Sequence, residues 1–281
     1  MSHSLVTVIC LCYNHEQFVQ EAVESVWHQN YSSLQLIIVD DASLDNSVSV
    51  IKRVIKNRPE VSFITNENNQ GSCRSFNQAL KVAQGDFIID LSADDVLLPD
   101  RVKRGVEVLE LAGLEYGVQF SDADIISKEG SHLYYHSKKF PHHTIPQGDI
   151  YKNLIERYFI CSPTMMFRKE VMAFMGGYDE ALAFEDFDFW IRSSRKYKYY
   201  YVPEVLVKRR MLSTSMSRAQ FTKSNEQRWS TLNVCRKIKE LNRTSEEMQA
   251  LRHRLQYEVF LSLRMMDVRL AYEFLKLGWQ K

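Results

Sequence analysis

Ile37-Ile38-Val39-Asp40-Asp41-Ala42-Ser43-Leu44-Asp45-Asn46-Ser47 is the stretch on which the fold turns. The apolar run from Leu36 to Val39 is short and unbroken, the pattern of a strand buried on both faces. It ends in two adjacent carboxylates and a polar turn, and a helical pattern then runs from Ser47 to Ile55. Upstream, Val6 to Leu11 is another short apolar run, and Val19, Ala22, Val23 and Val26 follow at helical spacing. Asn14 with Gln17 three residues on predicts a capping box at the start of that helix. Downstream come a short strand at Phe63 to Thr65 and an amphipathic helix marked by Phe76, Ala79, Leu80 and Ala83. A buried strand at Phe87 to Leu91 follows, and Pro99 is placed to open a further helix. Strands alternating with helices of this length predict an α/β fold, a mostly parallel sheet with helices on both faces. In such sheets ligands bind beyond the carboxyl ends of the strands.

Those ends carry the acids. Asp40-Asp41 closes the second strand, and Asp94-Asp95 follows the Phe87 to Leu91 strand after a two-residue turn. The chain has neither the Gly-x-x-x-x-Gly-Lys-Ser/Thr loop nor the Gly-x-Gly-x-x-Gly turn that cradles phosphates in other nucleotide folds. Paired carboxylates at a sheet edge suit a hard divalent cation held by one or two side chains plus phosphate oxygens. A solvated turn before the next helix is the alternative reading of Asp94-Asp95.

Order fades from Ser127 to Gln147, which reads as a loop carrying His132, His136, His142 and His143 at spacings too irregular for a metal site. A strand at Thr164 to Phe167 and a helix from Lys169 to Met175 follow, the helix stopped by Gly176-Gly177. Phe184 to Tyr197 reads as a helix opening on Glu185-Asp186. From about Phe221 the chain is helical, with Thr244 and Glu247 forming a second capping box.

Net charge is +1, so nothing global points to nucleic acid. The sum hides an asymmetry: residues 218–281 hold 13 Lys/Arg against 7 Asp/Glu, a basic appendage on a slightly acidic body. The five cysteines are scattered, which predicts reduced, buried thiols with neither zinc nor disulfides. The opening Met-Ser-His-Ser lacks signal-peptide character, and no window reaches a bilayer-spanning apolar length. A cytoplasmic protein is expected.

The ordered motifs resemble family 2 glycosyltransferases of the GT-A fold, of the bacterial polysaccharide and cell-surface glycan type. They begin with Val8-Ile9-Cys10-Leu11-Cys12-Tyr13-Asn14 and the Ile37 to Ser47 stretch. Asn69-Gln70-Gly71, Asn77, Gly85-Asp86-Phe87-Ile88 and Ser92-Ala93-Asp94-Asp95 continue the match. Gly176-Gly177-Tyr178-Asp179-Glu180, Glu185-Asp186-Phe187-Asp188-Phe189-Trp190 and Arg192 complete it, over roughly residues 5 to 215. The resemblance implies an α/β/α sandwich at 1–217, with a C-terminal helical extension at 218–281. It implies an inverting transferase, of hexosyl or N-acetylhexosaminyl type, moving sugar from a UDP- or TDP-linked donor to a hydroxyl of a glycan or lipid-linked glycan, with Mn²⁺ or Mg²⁺.

Position by position, the resemblance implies that Asp41 accepts from the base ring and that Leu11, Tyr13 and Asn14 line the base pocket. It places Asp94 on the ribose or sugar, Asp95 on the metal, and Arg74 and Arg210 on the nucleotide-sugar. Asp186 becomes the general base, with Glu185 as the alternative. Two departures stand out. Ser92 occupies a position where many relatives carry an acid, and Leu212 stands in place of the histidine of Arg-x-His-x-x-Ser in Arg210-Met211-Leu212-Ser213-Thr214-Ser215. They imply weaker metal dependence, or a phosphate grip taken over by Lys208 or Arg209.

Three alternatives stay open for the basic tail: peripheral contact with the inner face of the cell membrane, packing on the catalytic body, or a homodimer seam. Two rival functions also stand. A nucleotidyltransferase would need a glycine-rich basic loop where Cys12-Tyr13-Asn14-His15 stands. A degenerate member would bind nucleotide and assist another glycosyltransferase.

Overall fold

The computed structural model describes residues 4–140, 144–212 and 226–279. The chain forms two compact units, a sheet unit of Met1–Gly148, Ile160–Tyr178 and Tyr197–Met211, and a helical unit of Asp149–Phe159, Asp179–Lys196 and Leu212–Lys281. Residues 213–215, His142 and His143, and the 217/218 boundary lie outside the described residues.

The sheet unit grows from β1 (Val6–Cys12), whose residues are buried except at Leu11, where exposure is intermediate. Parallel to β1 lie β2 (Leu34–Asp40) on one side and β4 (Phe87–Ser92) on the other, with β3 (Ser62–Thr65) beyond β2. The connections are α1 (Val19–Trp27), α2 (Ser47–Val54) and α3 (Ser72–Leu80). The chain moves outward from β1 to β3 and then returns to the opposite side of β1. That reversal creates the crevice where ligands of open α/β sheets sit. Past β4 the pairing is mixed. β8 (Met166–Arg168) runs antiparallel to both β4 and β6 (Tyr116–Ile126), β9 (Lys198–Arg210) runs parallel to β6, and the two-residue β5 (Val96–Leu97) closes antiparallel on β9.

Apolar spacing explains the helices. Val19, Ala22, Val23 and Val26 are all buried against the β1 core. α4 (Arg101–Ala112) buries Val102, Val106 and Leu109, and α6 (Lys169–Met175) ends at Gly176 in the left-handed region, φ 72°. Asn14 is not a helix cap: its φ is 58° and its Oδ1 accepts from Leu44 N at 2.7 Å. The Ser127 to Gln147 stretch is more ordered than its composition suggests, since β7 (His132–Tyr135) pairs with β6. All five cysteines are free and buried, and burial pushes the Cys12 thiol up to about 12.

The helical unit contains α5 (Tyr151–Glu156), α7 (Glu185–Ser193), α8 (Glu226–Leu241), α9 (Ser245–Arg264) and α10 (Val268–Trp279). Thr244 caps α9 by accepting from Glu247 N, while the Glu247 carboxylate turns back to Arg243 N and to Arg195. Arg254 is not part of the outer basic face. It is buried, with its guanidinium 4.0 Å from the Tyr158 ring centre and Nε 3.2 Å from Glu258. Leu263 lies outside, 53% exposed.

Candidate active site

The site begins where β1 and β2 end side by side, Cys12 opposite Asp40. Asp40 is fully buried and accepts from Ser43 N and Oγ, closing the turn on itself. Asp41 points elsewhere. Its Oδ1 accepts from Asn66 Nδ2 (2.8 Å) and Gln70 N (2.9 Å), and its Oδ2 from Gly71 N (2.8 Å). An ionised carboxylate offers about four acceptor positions, so a ring N–H still has room to donate. Asn66 was not visible as a site residue in the sequence; its only signal is a polar side chain just past β3.

A second set of bonds stitches the β1 end to the β2 turn. Asn14 N, His15 N and Glu16 N donate to Ser43, Ser47 and Asp45, and Asn46 N returns to the Glu16 carboxylate. This fixes the backbone around Leu11 and Tyr13, leaving the Tyr13 side chain 40% exposed at the rim. Arg74 is exposed on the first turn of α3, three residues past the glycine that donates to Asp41.

Leu11 pairs with Ser92 on the other side of β1, which brings the acidic turn to the same edge of the sheet. Ser92 Oγ donates to Asp94 Oδ1 at 2.5 Å. At the position where relatives carry an acid, this chain therefore orients Asp94 with a hydroxyl. Asp95 is buried, and its Oδ1 accepts from Arg210 N at 2.8 Å. Burial first, and then the Asp94 charge, raise the Asp95 carboxyl well above the usual range, against the lowering influence of Arg209 and Arg210.

Arg210 is a strut. Its Nε donates to Asp94 O (3.0 Å), Nη1 to Lys128 O (2.8 Å) and Nη2 to Glu21 (2.6 Å), and its guanidinium lies 4.9 Å from the Phe18 ring centre. One side chain thus ties the end of β9 to the acidic turn, the β6–β7 connection and α1. Leu212, standing where relatives carry the histidine, is buried at 7% exposure.

Among the described residues no group of three or more His, Cys, Asp or Glu could hold a metal ion. Asp94-Asp95 nonetheless fits a hard cation in another way. A buried carboxylate with raised proton affinity, beside a second carboxylate, is the donor set a divalent ion relieves when substrate oxygens complete its shell.

Glu185 and Asp186 belong to the helical unit, half-buried in the first turn of α7. The preceding residue, Phe184, offers no side-chain cap, and a helix start is a place that favours carboxylates. Asp188, one turn in, is buried between Arg192 Nε (2.7 Å) and Lys237 Nζ (2.6 Å). The Gly-Gly-Tyr motif has its own explanation in the sheet unit. Asn77 exchanges two bonds with the Tyr178 backbone, and a Cβ on Gly177 would sit 2.7 Å from Asn77 Oδ1.

The family model for Glycosyl transferase family 2 matches residues 7–174. An uncharacterized glycosyltransferase of Methanocaldococcus jannaschii is 28% identical over 214 residues, 75% of this chain and 72% of the relative. One from Haemophilus influenzae is 28% identical over 240 residues, 79% and 70%. Among solved structures, the mannosyltransferase PcManGT of Pyrobaculum calidifontis, in complex with GDP-Man and Mn²⁺, superposes with a TM-score of 0.69 at 16% identity, covering 98% of this chain and 75% of that one. S. aureus TarS 1–349 in complex with UDP-GlcNAc gives 0.69 at 15% identity, 98% and 89%. The GT-A fold expected from the motifs is borne out.

Proposed function

This chain belongs to Glycosyl transferase family 2, and from that premise we propose that it transfers a sugar, with inversion, from a UDP- or TDP-linked donor to a hydroxyl of a glycan or lipid-linked glycan. The observation that carries the reading is the convergence of Asp41, Asp94 and Asp95 at the carboxyl ends of β2 and β4, the strands on either side of β1. Nucleotide-sugars occupy the TarS and PcManGT complexes of the same fold, which supports a nucleoside diphosphate leaving group.

In this reading Asp41 accepts from the base and Asp94 from donor hydroxyls. Asp95 would hold Mn²⁺ or Mg²⁺, whose charge makes the diphosphate a better leaving group. Asp186 takes the proton of the acceptor hydroxyl as its oxygen bonds to the anomeric carbon. The bond from that carbon to the diphosphate oxygen breaks on the opposite face, and the electron pair leaves with the nucleotide. Glu185 is the alternative base. Its dipole-stabilised neighbour Asp186 gains its reactivity from position more than from basicity. Arg210 serves the site by holding Asp94 and Asp95 in place, so that Arg74, with Lys208 or Arg209, is assigned to the phosphates.

A panel of nucleotide-sugars, assayed for hydrolysis and thermal shift with and without Mn²⁺, tests this. A UDP- or TDP-sugar that is turned over, with turnover lost in Asp186→Asn while nucleotide still binds, is the expected result. Binding without hydrolysis or transfer of any donor would favour the non-catalytic, partner-assisting reading.

The outer surface of the last two helices supports a membrane location. On α10, Val268, Tyr272, Leu275 and Trp279 recur at helical spacing and are all exposed, and on α9 Tyr257, Phe260 and Leu263 are exposed as well. Arg252, Arg264, Arg269 and Lys276 are exposed among them, whereas Glu258 and Asp267 are buried and Glu273 is half-buried. An apolar surface with four exposed cations and a single exposed acid, Glu246 in the first turn of α9, complements an anionic lipid surface. A two-fold contact between copies would set those cations against each other. Among the described residues no helix is long and apolar enough to cross a membrane. Flotation with phosphatidylglycerol vesicles, lost on phosphatidylcholine vesicles and in a Tyr272→Ser/Trp279→Ser variant, is expected. Concentration-dependent dimerisation without flotation would replace the membrane with a second copy.

A further inference from the structure

We infer that Ser230 and Lys237 of α8 are positioning residues for the catalytic base, so that the C-terminal helices form part of the catalytic apparatus. The inference rests on the reading of Asp186 as that base. Three contacts grip the stretch that carries Glu185 and Asp186. Lys237 Nζ reaches Asp179 Oδ2 and Asp188 Oδ1, each at 2.6 Å. Ser230 Oγ accepts from Ala183 N at 2.9 Å. The tethered positions 179, 183 and 188 bracket the two acids on both sides.

The two gripping residues are seven apart on α8, which places them on one helix face about 10 Å apart along the axis. Their partners differ in kind. Ser230 satisfies a backbone amide in the approach to α7, and Lys237 neutralises a carboxylate inside it. Asp188 is 2% exposed, and its other oxygen is taken by Arg192, an i,i+4 neighbour on the same helix. That pair fixes Asp188 within α7 itself. Lys237 is an ionic contact that ties α7 to another helix, beside the Arg254 guanidinium 5.0 Å from the Phe187 ring centre. Removing it leaves a buried carboxylate with half its compensation, and α7 relieves that by shifting or rotating its first turn, where Asp186 sits. Base catalysis is sensitive to such shifts, since a displacement of about 1 Å costs roughly 100-fold in rate.

Lys237→Met in the full chain should lower kcat by about 10-fold to 100-fold. Nucleotide affinity and donor KM should stay within about 2-fold, because Asp41, Asp94 and Asp95 belong to the other unit. Lys237→Arg should recover most of the loss. An unchanged kcat in Lys237→Met, with Asp186→Asn inactive, overturns the inference and leaves the base assignment standing. Full transfer by Asp186→Asn overturns both. If Lys237→Met does not fold, Ser230→Ala decides: a lowered kcat at unchanged nucleotide affinity supports the grip, and an unchanged kcat overturns it.

Discussion

The main-chain amide of Arg210 donates to the carboxylate of Asp95 at 2.8 Å, and the same residue's side chain holds the carbonyl of Asp94. The two acids of the turn are thus aligned by one residue 115 positions later in the chain, whose guanidinium also reaches Lys128 O and Glu21.

Arg210→Met keeps the stem and the backbone bond but removes the donor from three carbonyls, Asp94 O, Ser127 O and Lys128 O, and releases α1. A loss of about 2 kcal/mol is expected in urea unfolding, with donor turnover falling further than nucleotide affinity. Arg210→Lys should recover little, because one ammonium does not reproduce a fork aimed in three directions. A lysine variant of wild-type stability and rate would refute the strut.

Asp95 gives the protein a pH signature. Its folded pKa lies above the unfolded carboxylate value of about 4. Its contribution is therefore fully present below that value and is lost as pH rises through the folded pKa. Metal-free protein should lose stability over that window relative to Asp95→Asn. The thermal shift caused by Mn²⁺ should grow as pH rises, since the ion binds the deprotonated form. Parallel melting curves of wild type and Asp95→Asn across the pH series would show that the buried carboxyl does not titrate in this way.

Asp41→Asn swaps an acceptor-only group for an amide facing the N–H groups of Gln70 and Gly71 and the Nδ2 of Asn66. The β3–α3 loop should loosen, and the affinity for UDP, measured by calorimetry, should weaken by about 10-fold. Wild-type affinity would remove Asp41 from the base pocket.

Gly177 has φ 90° and no space for a side chain beside Asn77. Gly177→Ala should cost about 2 kcal/mol, measured by denaturant unfolding. Asn77→Ala/Gly177→Ala should regain part of it, since the clash then has no partner. Two changes adding up without interaction would count against the packing explanation.

How much of this could be read in the sequence depends on the range of the interaction involved. The buried face of α1 and the glycine stop of α6 are short-range patterns, and both stand where periodicity and glycine chemistry put them. Asn14 shows the limit. Its spacing to Gln17 matched a capping box, but Ser43 and Leu44, on a neighbouring strand end, claimed its backbone and side chain first. Arg210 shows the same limit more strongly. Its alignment with the family's arginine was visible, while its bonds to Glu21, Asp94 and Lys128 exist only after the sheet is assembled. Nothing local announces Tyr158 or Glu258 as company for Arg254, one of the cations counted in the basic tail. The β6–β7 pairing hid in a stretch whose polar, histidine-rich composition resembles loop, since an edge strand has no need of an apolar pattern.

The helical unit is drawn from three separated stretches, Asp149–Phe159, Asp179–Lys196 and the chain from Leu212 onward. A ribosome delivers them in that order. When α7 emerges with Phe187, Phe189 and Trp190 buried, α5 and Tyr158 are already made, but α8 and α9, which complete its shield, are not. At about 5–20 residues per second, the nearly 50 residues from Ser193 to Leu241 take roughly 2–10 s. During those seconds Asp188 has no Lys237 and the aromatic cluster is open to wrong partners. Translation speed through residues 194–241 is therefore expected to influence how much chain reaches the folded state.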